Sequence, residues 1–208
     1  MDRKLLTKGS VLALATGAIV TLAALQGANA ADRVRVRGTI DSLDGNTIKV
    51  KSRDGKEVTV MLKSGWAVTG VTEASAADIK PGDFVGIANE PTASGVAGAI
   101  EVVIFPASMK GTGEGDRPWD SKPNSSMTNA TVANTVKSVN GPTLTLTYKG
   151  GEKKINIPEG TPVVTFAAAT KDDLKPGAAV FITGETSGDG MVSSDRVAVG
   201  VNGTVPPM

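Results

Sequence analysis

Residues 78–88 read Asp-Ile-Lys-Pro-Gly-Asp-Phe-Val-Gly-Ile-Ala, and a near copy, Asp-Leu-Lys-Pro-Gly-Ala-Ala-Val-Phe-Ile-Thr, occupies residues 173–183. In each copy Lys-Pro-Gly ends a short helical turn, because proline cannot continue a helix and glycine adopts backbone angles that other residues avoid. The apolar run that follows predicts a strand. This punctuation is typical of a small β domain, and the chain uses it twice.

The similarity extends beyond this stretch at a nearly constant spacing. The aligned segments are 36–43 with 132–139, 47–50 with 143–146, and 58–60 with 155–157. A match spread over so long a segment at nearly one offset indicates internal duplication.

These alignments divide the chain into segments. We predict a first β domain at residues 33–105, a connector at 106–130, a second β domain at 131–201 and a tail at 202–208. A unit of this size buries only a modest core, so the two units are expected to lean on each other for stability.

The pattern inside each unit predicts strands with one short helix. Apolar residues alternate with polar ones, as at Ile48 and Val50, which is typical of strands with one buried and one wet side. Residues 75–78 and 170–173 resemble capping boxes. The sequence thus predicts an all-β protein of two tandem OB-like small β-barrels related by internal duplication, each with one short helix. Two separate barrels and one shared sandwich both fit this pattern.

The first thirty residues have the features of a secretory signal peptide. Three basic residues precede an apolar run at 11–25, and Ala28-Asn29-Ala30 follows it. A membrane anchor is the alternative, but the run is shorter than the roughly 20 residues that a spanning helix needs. No later stretch is long and apolar enough, so we expect cleavage after Ala30 and a periplasmic protein without a transmembrane span.

The composition excludes several activities. The sequence contains no cysteine and no histidine, which removes thiolate nucleophiles, the commonest general base and the commonest transition-metal ligand. We therefore expect no enzyme and no cofactor. The formal net charge of +1 argues against a general polyanion binder, and together with export it predicts no nucleic-acid partner.

The connector is rich in glycine, proline and serine, yet it contains Trp119. A flexible linker has little use for so large an apolar ring, so a functional loop competes here with a plain linker. We predict that Arg117 and Trp119, together with Trp66, face a ligand or partner.

Two sets of charged residues are further candidate sites. Arg33, Arg35 and Arg37 alternate with valines, which predicts a basic face for a small anion, although a plain solvated face is the competing interpretation. The connector also carries three carboxylates that offer oxygen ligands to a hard cation, although their spacing matches no calcium loop. They are Glu114, Asp116 and Asp120.

A resemblance to a known family rests on residues 38–41, 44–47, 78–85, 111–120 and 127–132. These segments resemble exported bacterial proteins, found mainly in proteobacteria, that carry an OB-like domain of unknown function. The resemblance covers nearly the whole chain after the signal peptide, and the connector is its most specific part. Some relatives are loosely labelled metal ABC transporter permeases, which implies at most an association with metal uptake because this chain lacks spanning helices.

Together these observations predict a non-catalytic exported binding or accessory protein. We expect it to engage an envelope protein or a small anionic ligand at the groove between the units and at the connector. The alternative is a hard-metal-binding accessory protein linked to metal uptake.

Overall fold

The computed structural model describes residues 32–186 and 191–207, and the predicted signal peptide at 1–30 lies outside them. The strands are β1 Asp32–Asp44, β2 Thr47–Ser52, β3 Glu57–Glu73, β4 Phe84–Glu90, β5 Ala97–Phe105, β6 Gly115–Pro118, β7 Ser126–Val136, β8 Thr143–Tyr148, β9 Gly151–Asn156, β10 Val163–Ala167, β11 Ala179–Thr186 and β12 Val192–Gly200. Three single-turn 3₁₀ helices span Ala76–Asp78, Ala107–Met109 and Lys171–Asp173. The all-β prediction is confirmed. None of the helices described is long and apolar enough to cross a membrane.

Local sequence signals account for the turns and helix ends. Gly45 adopts a φ of +56° between β1 and β2, the positive angle that a tight hairpin turn requires. Both predicted capping boxes form: the backbone N–H of Ser75 donates to Asp78 at 2.8 Å, and that of Thr170 donates to Asp173 at 2.7 Å. The helices at Ala76–Asp78 and Lys171–Asp173 therefore start where the sequence predicts.

Strand pairing closes into a ring twice. Ring 1 contains β1, β2, β3, β12 and β11 in that order, and ring 2 contains β7, β8, β9, β5 and β4. Each ring has one parallel pair, β3 with β12 or β9 with β5, and its other pairs are antiparallel. β10 joins the rings, because it pairs with β3 on one side and β5 on the other. The protein therefore contains closed β-barrel structure.

The rings divide the chain differently from the predicted segments 33–105 and 131–201. Ring 1 takes β1–β3 from the first segment but β11 and β12 from the second, while ring 2 takes β7–β9 from the second but β4 and β5 from the first. Each segment thus gives its last two strands to the ring begun by the other. The Lys-Pro-Gly turns lie just before β4 and β11, the strands that pair with the other segment. The N–H of Gly82 donates to Val132 O and that of Gly177 donates to Ile40 O, both at 2.8 Å.

Each ring encloses its own apolar core. The ring 1 core includes Ile48, Val50 and Ile182, and the ring 2 core includes Leu144 and Leu146, all without solvent exposure. Burying each such side chain contributes about 1.5–3 kcal/mol. A smaller cluster at the junction is formed by Val71, Val103 and Val164.

Candidate functional site

The connector is folded against the barrels rather than extended as a linker. Its strand β6 pairs antiparallel with the first part of β7. The turn that follows is closed by hydrogen bonds from Trp119 N to Ser125 O at 2.9 Å and from Ser125 Oγ to Lys122 O at 2.7 Å. This turn places Trp119 and Asp120 against β1 of ring 1.

Trp119 stacks on the basic strand β1. The guanidinium carbon of Arg35 lies 3.7 Å from the centroid of the indole ring, and that of Arg117 lies 5.6 Å away. Such cation–π contacts are worth about 0.5–2 kcal/mol, more where water is excluded. Burial, reinforced by the nearby charge of Arg35, lowers the pKa of Arg117. The structure thus brings together three of the residues predicted to face a ligand.

Asp120 binds the same strand through a bidentate ion pair. Arg37 donates to its two carboxylate oxygens at 2.8 and 3.2 Å, and Arg35 Nη1 lies 3.4 Å from Oδ2. Burial acts to raise the pKa of Asp120, but the hydrogen bond and charge of Arg37, with the charge of Arg35, outweigh it and hold the pKa below its ordinary value. The paired forks of guanidinium and carboxylate are a strong and specific arrangement.

Glu101 is a buried acid beside this cluster. It is 6% exposed on β5, and its Oε1 has no hydrogen-bond partner among the described residues. Burial raises its pKa, while the charges of Arg37 and Arg53 act in the opposite direction. Glu101 is not among the site residues predicted from the sequence, although a lone acid within the apolar run Ala-Ile-Glu-Val-Val is a signal for such a residue.

Replacing Glu101 by glutamine is expected to raise the free energy of unfolding at pH 7 by about 1–3 kcal/mol, because it removes a buried and incompletely paired carboxylate. The folded state holds the Glu101 proton more tightly than the unfolded chain does. Glu101 therefore lowers stability progressively as pH rises above the ordinary pKa of 4.5. Urea unfolding of both proteins between pH 4 and pH 8 measures this difference.

The exposed Glu152 on β9 provides the matched control. Glu152→Gln makes the same chemical change where water solvates the carboxylate, so we expect little change in stability at any pH. Equal behaviour of the two variants would contradict the role assigned to burial at position 101.

A basic groove opens beside the Asp120 ion pair, with a volume of about 570 Å³. Four cations line it: Arg35, Arg37, Arg53 and Lys56. The two carboxylates that line it, Asp54 and Asp120, are both paired with these cations. Cations therefore outnumber carboxylates here.

The rest of the groove lining consists of apolar side chains and of the Asp54 carboxylate, which is bonded to nearby residues. Val34, Val58 and Val192 form its apolar wall. The hydrogen bond from Ser52 and the pairing with Lys56 lower the pKa of Asp54 to about 2. A ligand that combines an anionic group with a small apolar part matches this lining.

Two other candidate residues lie apart from the basic groove. Arg33 lines a neighbouring depression of about 360 Å³ together with Lys63 and Arg196. Trp66 is 7% exposed in the ring 1 core, and its Nε1 donates to Asn46 Oδ1 at 3.3 Å. Trp66 is therefore a core residue rather than a ring open to a ligand.

The three carboxylates predicted as metal ligands do not converge. Glu114 accepts a hydrogen bond from the Lys149 N–H at 2.9 Å, and Asp116 pairs with Lys153 at 3.1 Å, while Asp120 pairs with the arginines of β1. Within residues 32–186 and 191–207, no group of three acidic side chains is placed to hold a metal ion. The expected site at Glu114, Asp116 and Asp120 is not assembled.

Comparisons with protein-family models, curated proteins and solved structures give no match.

Proposed function

We propose that this protein is a non-catalytic binding protein that takes a small anionic ligand in the basic groove of ring 1. The observation that carries this proposal is the ion pair of Asp120. Both of its carboxylate oxygens accept hydrogen bonds from the Arg37 guanidinium, so the groove is already shaped to bind an anionic group. The groove extends beyond that carboxylate to Arg53 and Lys56. A ligand with two anionic groups can reach these outer cations.

We further propose that the two rings are OB-like barrels of one duplicated unit whose last two strands are exchanged. Their shared strand order, with a single parallel pair, supports this. The hydrogen-bond register supports it too: Ile40 N donates to Ala178 O at 2.9 Å, and Val132 N donates to Asp83 O at 2.8 Å. In both rings the next residue has no partner in the pairing of the first two strands: Asp41 in β1 and Ala133 in β7.

Export to the periplasm is part of the same proposal. It is supported by the basic start, the apolar run and Ala28-Asn29-Ala30, and by the resemblance to exported bacterial proteins. The hard-metal alternative lacks support, because Glu114, Asp116 and Asp120 each pair with a different part of the chain.

Inorganic pyrophosphate is a suitable probe, since it carries two anionic groups close together. We expect heat of binding by calorimetry at low ionic strength, where exposed charges are least screened. Arg53→Ala is expected to weaken binding about tenfold, which corresponds to the loss of one charge-assisted hydrogen bond. Arg53 does not bind Asp120 in the structure; its Nη2 donates to Pro206 O at 2.9 Å. Its replacement therefore leaves the connector contacts in place.

Lys49→Ala is the matched control. Lys49 lies on the outer face of ring 1, 3.4 Å from Glu57, and its replacement makes the same change in charge. Affinity should stay within about twofold of the parent, because exposed pairs of this kind contribute little. Equal weakening by both variants would indicate attraction to the overall charge, and absence of heat in the parent protein would rule out the assigned site.

A further inference from the structure

One cavity of ring 2 corresponds to a place that ring 1 fills with a tryptophan. In ring 1, Val60 opposes Val192 and Val68 opposes Val197. In ring 2, Ile155 opposes Ala97 and Val163 opposes Val102, with the same numbers of residues between. By this register Trp66 of ring 1 corresponds to Thr161 of ring 2.

The ring 1 indole is held by two neighbours. Its Nε1 donates to Asn46, and Lys171 Nζ lies 4.3 Å from the ring centroid. Asn46 is the residue before β2, and Lys171 is the first residue of the 3₁₀ helix that precedes β11. This end of ring 1 therefore supplies both a hydrogen-bond acceptor and a cation to an aromatic ring.

The counterparts in ring 2 surround empty space. Pro142 precedes β8 as Asn46 precedes β2, and Ala76 begins the 3₁₀ helix that precedes β4. These two residues and Thr161 line one cavity of about 430 Å³. Threonine, alanine and proline are each shorter than the residues they replace, which explains why the space is open.

Part of the lining of this cavity is aliphatic. Ile157, Pro158 and Val163 contribute aliphatic surface, and the hydroxyl of Ser138 is already engaged with Gly141 O at 2.7 Å. Val139, also in the lining, is 97% exposed, an unusual position for a large apolar side chain with no role in the core. Ser75 and Glu159 add polar groups to the same lining, so the aliphatic part of the cavity and the exposed Val139 beside it favour a flat ligand that covers both.

We propose that this cavity binds a neutral, flat aromatic ring of a small molecule, in the place where ring 1 holds the indole of Trp66. This inference rests on the equivalence of the two rings and is independent of the basic groove. The two sites can therefore fail separately.

Indole itself is the probe, and it is added to ¹⁵N-labelled protein that begins at Ala31. We expect amide shifts confined to the segments that line the cavity, 74–76, 138–142 and 157–163, with a Kd on the order of 1 mM, as suits a fragment of this size. No shift at about 5 mM indole, or shifts scattered over both rings, would overturn the proposal. Binding of a tryptophan-containing peptide without binding of indole would also overturn it.

Variants at two positions sharpen the test. Thr161→Trp should place an indole in the cavity and weaken binding at least tenfold, whereas Thr161→Ser keeps the cavity open and should bind like the parent. Should Thr161→Trp fail to fold, Val139→Asp adds a charge at a fully solvated position and is expected to weaken indole binding severalfold without loss of structure. Unchanged affinity in a folded Thr161→Trp protein, or in Val139→Asp, would refute the assignment.

Discussion

An engineered disulfide between positions 33 and 185 is expected to form readily and to stabilise the protein by about 4–5 kcal/mol in the loop-entropy account. Arg33 on β1 lies directly opposite Glu185 on β11. The sequence has no cysteine, so Arg33→Cys with Glu185→Cys introduces the only thiols. Loss of the exposed Lys63–Glu185 ion pair should cost at most about 1 kcal/mol. Mobility on a non-reducing gel and urea unfolding with and without reductant measure both effects.

The control for this disulfide tests the strand exchange directly. Glu90 is the counterpart of Glu185 in the first segment, since it opposes Gly98 in β4–β5 as Glu185 opposes Ser193 in β11–β12. If residues 33–105 closed on themselves, Arg33 would face Glu90. Arg33→Cys with Glu90→Cys should therefore remain reduced, and efficient cross-linking of this pair instead of the first would contradict the exchange.

Gly38→Ala is expected to lower the free energy of unfolding by about 3 kcal/mol, at the upper end of ordinary overpacking. A Cβ at this position would lie 2.1 Å from the carbonyl oxygen of Lys51 and 2.8 Å from the Cα of Ser52. Both are backbone atoms of the paired strand β2, so the clash cannot be relieved by a side-chain rotation. Thermal unfolding should show a midpoint roughly 6–12 °C lower.

Gly98→Ala provides the comparison for Gly38→Ala, because it also lies in a strand. Its added Cβ would meet only the terminal methyl of Thr92, at 3.2 Å. Since that methyl needs to shift by only a few tenths of an ångström, we expect a change within about 1 kcal/mol. Similar losses in both variants would show that glycine flexibility, and not contact with Lys51, determines the effect.

Local structure could be predicted from the sequence because it depends on neighbouring residues. The alternation at Ile48 and Val50 correctly marked a buried strand face, and Ser75 and Thr170 correctly marked the short helices. The pairing of β4–β5 with β7–β9, and of β11–β12 with β1–β3, could not be predicted in this way. Periodicity specifies which face of a strand is buried, but two similar segments present equally suitable edges to β4–β5 and to β11–β12.

The alignment of β1 with β7 shows the same limit of prediction from the sequence. The sequence alignment set Val36 beside Val132, whereas the hydrogen bonds to the turn before β11 and β4 set Ile40 beside Val132. The longer connection between β7 and β8 absorbs the difference: β7 ends at Val136 and β8 begins at Thr143, while only Gly45 and Asn46 separate β1 from β2. A constant spacing therefore aligned β1 with β7 four residues away from the register that these hydrogen bonds give.

The candidate site was predicted only in part, for reasons of geometry. Alternation placed Arg35 and Arg37 on one face, but no local signal showed that Trp119 and Asp120 would cover them. The spacing of carboxylates along an irregular connector says nothing of their direction, which is why the expected metal ligands are dispersed. Trp66 was misjudged because its polar partner, Asn46, lies in a distant turn.

The way ring 1 closes limits the order in which this polypeptide can fold during synthesis. β1 is among the first strands to be synthesised, yet its partner β11 and the final strand β12 are among the last. Ring 1 therefore has to wait until β11 and β12 have been synthesised, and contacts of such high sequence separation form slowly. A nascent chain interrupted before Val192 leaves ring 1 without its parallel pair, so the barrel can close only after β12 has been synthesised.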